Sequence, residues 1–133
     1  MRNILYETDR LKIEHEFENT WLVDKMTGKV LLEDDFYGEP DVALIDKNNK
    51  WAIVANLHLS IWTDTGRTTS IQTKEFRSIH SLRVKTERIV EVLTDPWSEI
   101  SAIWELDIET FDINKIKNFT DYHLKEHTEN IIW

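Results

Sequence analysis

Arg10 to Phe17 reads RLKIEHEF, with Leu11, Ile13, His15 and Phe17 on one side and Arg10, Lys12, Glu14 and Glu16 on the other. A period of two is the mark of a strand with one wet face. The same alternation recurs along the chain. Thr20 to Asp24 and Lys29 to Leu32 flank Lys25-Met26-Thr27-Gly28, a predicted hairpin turn in which Gly28 takes a positive φ. Asp41 to Asp46 and Trp51 to Ala55 flank Lys47-Asn48-Asn49-Lys50, a second hairpin whose Asn residues tolerate left-handed backbone. Leu57, Leu59 and Ile61 alternate with His58, Ser60 and Trp62, before a turn at Asp64-Thr65-Gly66-Arg67 and a short polar strand near Thr69 to Thr73. Ile79 to Lys85 pairs with Arg88 to Leu93 around Thr86-Glu87. After the break at Asp95-Pro96, Ile100 to Ile108 form the last alternating run.

Beyond Thr110 the period changes. Ile113, Ile116, Phe119, Thr120, His123, Leu124, His127 and Ile131 fall on one face at about 100° per residue, with Asp112 placed to cap. The pattern predicts an amphipathic helix over about 112–130, burying Ile116 and Phe119 against the sheet. The expected fold class is therefore α+β: a mainly antiparallel, curved β-meander of eight or nine strands over about 4–108, in a partly open barrel or bent sheet, with one C-terminal helix. A β-sandwich is the alternative. No repeat is clear enough to indicate a propeller, and short turns imply that neighbouring strands pair in sequence order.

The chain has 133 residues, which fits one domain spanning 1–133, and a 41% hydrophobic content with six Trp is that of a folded protein. With no cysteine, disulfides, thiolate zinc sites and cysteine nucleophiles are excluded. The N-terminus lacks a signal-peptide apolar run and no stretch has the length of a membrane helix, so a cytoplasmic protein with no membrane partner is expected.

Charge narrows the partners. The net charge is −9, and residues 1–46 carry 12 acids against 5 bases. Phosphate binding requires clustered Lys and Arg, so nucleic acid is a poor partner and a cationic protein a good one. The acids concentrate in LLEDDFYGEPD, in which only Leu31 and Leu32 read as core strand. There Glu33, Asp34, Asp35, Glu39 and Asp41 surround Phe36 and Tyr37, and acids beside aromatics are the make-up of an interface anchor. These seven residues are the expected partner-binding site.

Catalytic chemistry finds little footing. There is no D/E-x-K tripeptide, no Gly-rich phosphate loop and no G-x-S-x-G elbow. His123 and His127 have metal-ligand spacing, but Leu124 stands where HExxH needs Glu and no third ligand is evident, so neither a metal nor a cofactor is expected. His15 and His58 lie in separate strands, where an acid–base role would need a facing carboxylate; core or rim packing is the expected role. Trp97 and Trp133 are either exposed anchors or edge packing. The basic run from Lys74 to Arg88 is either a wet hairpin face or an internal partner for the acidic half.

Small size, acidity, absence of Cys, many Trp and a β-rich meander without catalytic motifs resemble the immunity proteins of bacterial polymorphic toxin systems, including contact-dependent growth inhibition. DFYGEPDVALI followed by KWAIVA is similar in type to such proteins. The resemblance implies no enzyme but a protein that binds and blocks a cognate toxin, often a nuclease. The alternatives are a small-ligand-binding β-barrel and an enzyme with an unfamiliar site.

Overall fold

A computed structural model describes residues 2–35, 42–74, 78–128 and 130–133. It is all-β among these residues. The first sheet holds β1 (Asn3–Glu7), β2 (Leu11–Glu16), β3 (Asn19–Asp24) and β4 (Val30–Asp35). The second holds β5 (Val42–Ile45), β6 (Trp51–Ala55), β7 (Leu59–Thr63) and β8 (Thr68–Ile71). The third holds β9 (Ile79–Val84), β10 (Ile89–Thr94), β11 (Ala102–Asp107) and β12 (Ile113–Asn118). In each sheet the strands pair antiparallel in sequence order.

Two expectations are overturned. The C-terminal helix is absent: Ile113–Asn118 is β12, paired with β11 through Ile113↔Leu106 and Asn118↔Ala102, and residues 121–125 form turns. Eight residues on one face at about 100° per residue suggest a helix, but the two Ile and two Asn of Ile113–Asn118 have weak helical preference. The open edge of β11 supplies it with a hydrogen-bonded ladder instead. Ile116, expected to be buried, is exposed, whereas Phe119 is buried. Nor do the strands form one curved barrel; they are divided among three separate four-stranded sheets. The described residues contain no helix long and apolar enough to cross a membrane.

The three sheets repeat one design. Arg10, Lys50 and Arg88 each precede the second strand of their sheet, and each carbonyl accepts a hydrogen bond from just beyond the third strand: Lys25 N–H at 2.9 Å, Asp64 N–H at 2.8 Å and Ile108 N–H at 2.9 Å. Asp24, Thr63 and Asp107 end the third strands. Their carbonyls receive the N–H groups of Gly28, Gly66 and Phe111 at 2.8, 3.0 and 2.7 Å. All three donors are left-handed, with φ of 74°, 86° and 64°. Four-stranded up-and-down sheets are the blade units of β-propellers. The repeat is thus present, though LVDKMTG, IWTDTG and IWELDIETF disguise it in sequence.

The chain divides into two compact units, Met1–Arg77 and Ser78–Trp133. In the first, the first and second sheets pack face to face. Leu11, Ile13 and Leu22 meet Ile45, Ala52, Val54 and Trp62 in one apolar cluster. Trp62, which the strand pattern set apart from Leu59 and Ile61, faces this seam rather than solvent. In the second unit, one face of the third sheet buries Val90, Val92, Ala102 and Leu106. Its other face carries Leu93 and Ile103, which cluster with Phe119 and are packed by Tyr122, Ile131 and Trp133.

Candidate functional site

The acidic segment begins as strand rather than loop: β4 continues through Glu33, Asp34 and Asp35. Side chains alternate along it, and this splits the three acids. Cross-strand register places His15, Thr20 and Asp34 in one row on the face that meets the second sheet. His58, just before β7, and Ser60, within it, come from the second sheet. His58 Nε2 lies 2.7 Å from Asp34 Oδ2, and Ser60 Oγ donates to the same oxygen. Asp34 Oδ1 accepts from Asp35 N–H at 2.7 Å. Burial pushes the Asp34 carboxyl up, but the hydrogen bonds from Ser60, His58 and Asp35 together outweigh it and hold it below its ordinary value.

This arrangement joins two sheets through one carboxylate. Ser60 donates its proton to the Asp34 oxygen that His58 also meets. The carboxylate is saturated by three donors, and the result is a polar clasp between β4 and β7. Sequence alone could not bring His58 to a carboxylate 24 residues away; the face-to-face packing of two sheets does so.

Glu33 and Asp35 point the other way and are exposed. Register also joins Asp35 to the β2–β3 hairpin, since Glu16 pairs with Asn19 and Asn19 pairs with Asp35. Phe17 and Glu18 form the tip of that hairpin. The period-two pattern had assigned Phe17 to the inner side of a strand, but the chain reverses there and leaves Phe17 75% exposed. Its φ is 53°, a left-handed backbone that suits glycine and is unfavourable for a bulky side chain.

The neighbouring acids of the first sheet are neutralised. Glu7 pairs with Lys25 at 2.8 Å, Glu14 with Lys12 at 2.6 Å, and Asp24 with Arg10 at 3.7 Å. Among the described residues, Glu18, Glu33 and Asp35 make no ion pair. The end of the first sheet therefore shows three free carboxylates and one exposed aromatic ring. Phe36, Tyr37, Glu39 and Asp41 lie outside the described residues.

Other sequence candidates resolve differently. His123 and His127 share no helix, and His127 stacks on Trp97 with ring centroids 4.6 Å apart. Trp97 also meets His80 edge-on at 5.5 Å. Among the described residues no group of three His, Asp or Glu side chains is arranged to hold a metal. The basic hairpin pairs with acids of its own sheet: Arg83 with Glu91 at 3.0 Å, Lys85 with Glu105, and Arg88 with Asp107 at 2.8 Å.

No family model and no curated protein matches this chain. Solved structures do share its fold. It is similar to hydrazine synthase of Kuenenia stuttgartiensis, with a TM-score of 0.62 and 14% identity over 86% of this chain and 34% of that one. It is similar to apo AztD from Citrobacter koseri, with a TM-score of 0.58 and 14% identity over 87% of this chain and 35% of that one. U3-55K matches with a TM-score of 0.55 and 7% identity over 86% of this chain and 42% of the other. The chain thus spans between a third and a little over two fifths of the structures it matches, and at such identities what they have in common is the fold.

Proposed function

We propose that this protein is a non-enzymatic binding protein that engages a basic protein partner through the acidic end of its first sheet. The carrying observation is the set of unpaired, exposed carboxylates of Glu18, Glu33 and Asp35 around the Phe17 ring. Carboxylates standing in for phosphates match the surface of a nucleic-acid-cleaving partner and speed encounter by steering. The aromatic ring supplies apolar contact that charge alone lacks. The specific form of the reading is an immunity protein that blocks a cognate nuclease toxin inside the cell that makes both.

The clasp at Asp34 supports this reading, because it fixes β4 while leaving its two flanking acids free. Surface plasmon resonance against the toxin domain encoded in the adjacent reading frame tests it. Glu33→Lys with Asp35→Lys is expected to slow association and flatten its salt dependence. Phe17→Ala is expected to raise the dissociation rate. Unchanged rates in both variants move the interface elsewhere.

A further inference from the structure

The first sheet ends in an edge that stays open among the described residues. β4 pairs with β3 on one side and closes the strand order on the other. Its last residue shows which backbone groups face outward. The Asp35 N–H turns to the carboxylate of Asp34, 2.7 Å away, rather than into the ladder with β3. In an antiparallel strand the N–H and C=O of one residue point to the same side, as do those two residues along. Glu33 therefore directs both its groups outward with Asp35, and these two residues carry the exposed, unpaired carboxylates of the face they share.

The same face already seats a cation. Trp21 lies between Glu14 and Glu33 in one cross-strand row. On the Glu14 side, the Arg2 guanidinium stacks on the Trp21 ring at 3.8 Å and lies 3.9 Å from the Glu14 carboxylate. On the Glu33 side no described residue supplies a cation. The other strands that end a sheet lack this combination. β5 and β8 are uncharged. Glu7 of β1 pairs with Lys25, and Arg83 of β9 pairs with Glu91. Lys115 and Lys117 of β12 fall on opposite faces, because register sets them beside the successive residues Trp104 and Ile103.

We propose that the basic partner meets this edge with an extended segment, laid antiparallel to β4 as a fifth strand and bearing arginine or lysine at every second position. The proposal rests on the reading of the acidic end as a binding surface and specifies how that surface is met. A strand beside β4 lies about 4.8 Å away and sets alternate side chains about 5 Å from Glu33 and Asp35, on the face of Trp21. Its intervening side chains turn to the face of Asp34, whose carboxylate already accepts three hydrogen bonds. Uncharged residues fit there. A helix could reach the two carboxylates but not the outward N–H and C=O groups between them.

Two fluorescently labelled peptides of one composition test this on the full chain. One alternates Arg and Thr, and the other gathers all its Arg at one end. Anisotropy titration is expected to show the alternating peptide binding about tenfold more tightly, and Glu33→Lys with Asp35→Lys is expected to abolish that binding. In an antiparallel pair the Arg amides face β4, so N-methylating them should weaken the alternating peptide about tenfold, whereas N-methylating its Thr amides should change little. Exchange of the Glu33 amide hydrogen should slow when the peptide is bound. Equal binding of the two peptides, equal effects of the two N-methylations, or no binding by either peptide overturns the fifth strand. Failure of the wider reading has a different signature: the toxin domain then associates and dissociates at the same rates with Glu33→Lys and Asp35→Lys in place. If those rates respond while the peptides do not discriminate, the fifth strand alone is refuted.

Discussion

Asp24 and Asp107 hold the same post in two different sheets. Each ends a third strand, each carboxylate accepts from the amide two residues on, Met26 or Glu109, at 2.9 Å, and each faces an arginine that precedes the second strand. The carboxylate thus organises a turn and ties it to a neighbouring loop. Replacing either by Ala is expected to cost roughly 1–2 kcal/mol, the scale of a charged hydrogen bond lost from a partly buried site. Asn keeps the turn acceptor but not the charge, so its loss should be smaller. Urea unfolding of the four variants checks this, and equal losses for Ala and Asn would show that the turn bond contributes nothing.

That repeat marks the border of what the amino-acid pattern disclosed. Hairpins at 25–28 and 47–50 were legible because Gly28 and Asn49 mark left-handed turns, and both have positive φ. The threefold design was not, because Thr63 replaces Asp and Phe111 stands where Gly28 and Gly66 stand in the other sheets. The C-terminal strand was misread because an edge strand with one lightly covered face shows no clean alternation; Ile113 and Ile116 have odd spacing. At the candidate site the acids of 33–35 were visible, but their division was not. Only pairing with Thr20 and the nearness of His58 turn Asp34 inward. Phe17 was hidden by its own parity, since alternation says nothing about where a strand stops.

Acid should loosen the clasp in a definite direction. The folded Asp34 carboxyl lies below its ordinary value, so its contribution is fully present above the unfolded value, near 4, and fades as pH falls through the folded one. Wild-type stability is therefore expected to fall below about pH 4 more steeply than that of Asp34→Asn. Urea midpoints measured from neutral pH to pH 3 make the comparison. Parallel profiles would mean that the carboxylate is not held as described.

Phe17→Gly is expected to stabilise the fold while weakening partner binding. A left-handed non-glycine residue costs on the order of 1–3 kcal/mol, and the extra freedom of unfolded glycine returns up to about 1. The net expected gain is about 1 kcal/mol, read as a higher thermal midpoint. A loss of stability would show that the Phe17 ring packs in solution.

Phe119 and Ile116 differ sharply in burial. Phe119→Ala is expected to cost about 3–5 kcal/mol, since its ring is buried beside Leu93 and Ile103. Ile116→Ala, on the exposed edge strand, should cost less than about 1 kcal/mol. Comparable losses would contradict the strand assignment.

Pairing in strict sequence order also governs how the protein is made. Every ladder of the first sheet joins residues between Asn3 and Asp35, and every ladder of the second joins residues between Val42 and Ile71. Contacts this local close small loops, so they form early and fast. During synthesis the first sheet can hold its hydrogen bonds before the second exists, but its apolar face stays wet until β6 and β7 emerge. The interval between residues 35 and 63 is then the time at which the nascent chain is most prone to stick to its neighbours, and a pause in translation there would reduce its yield.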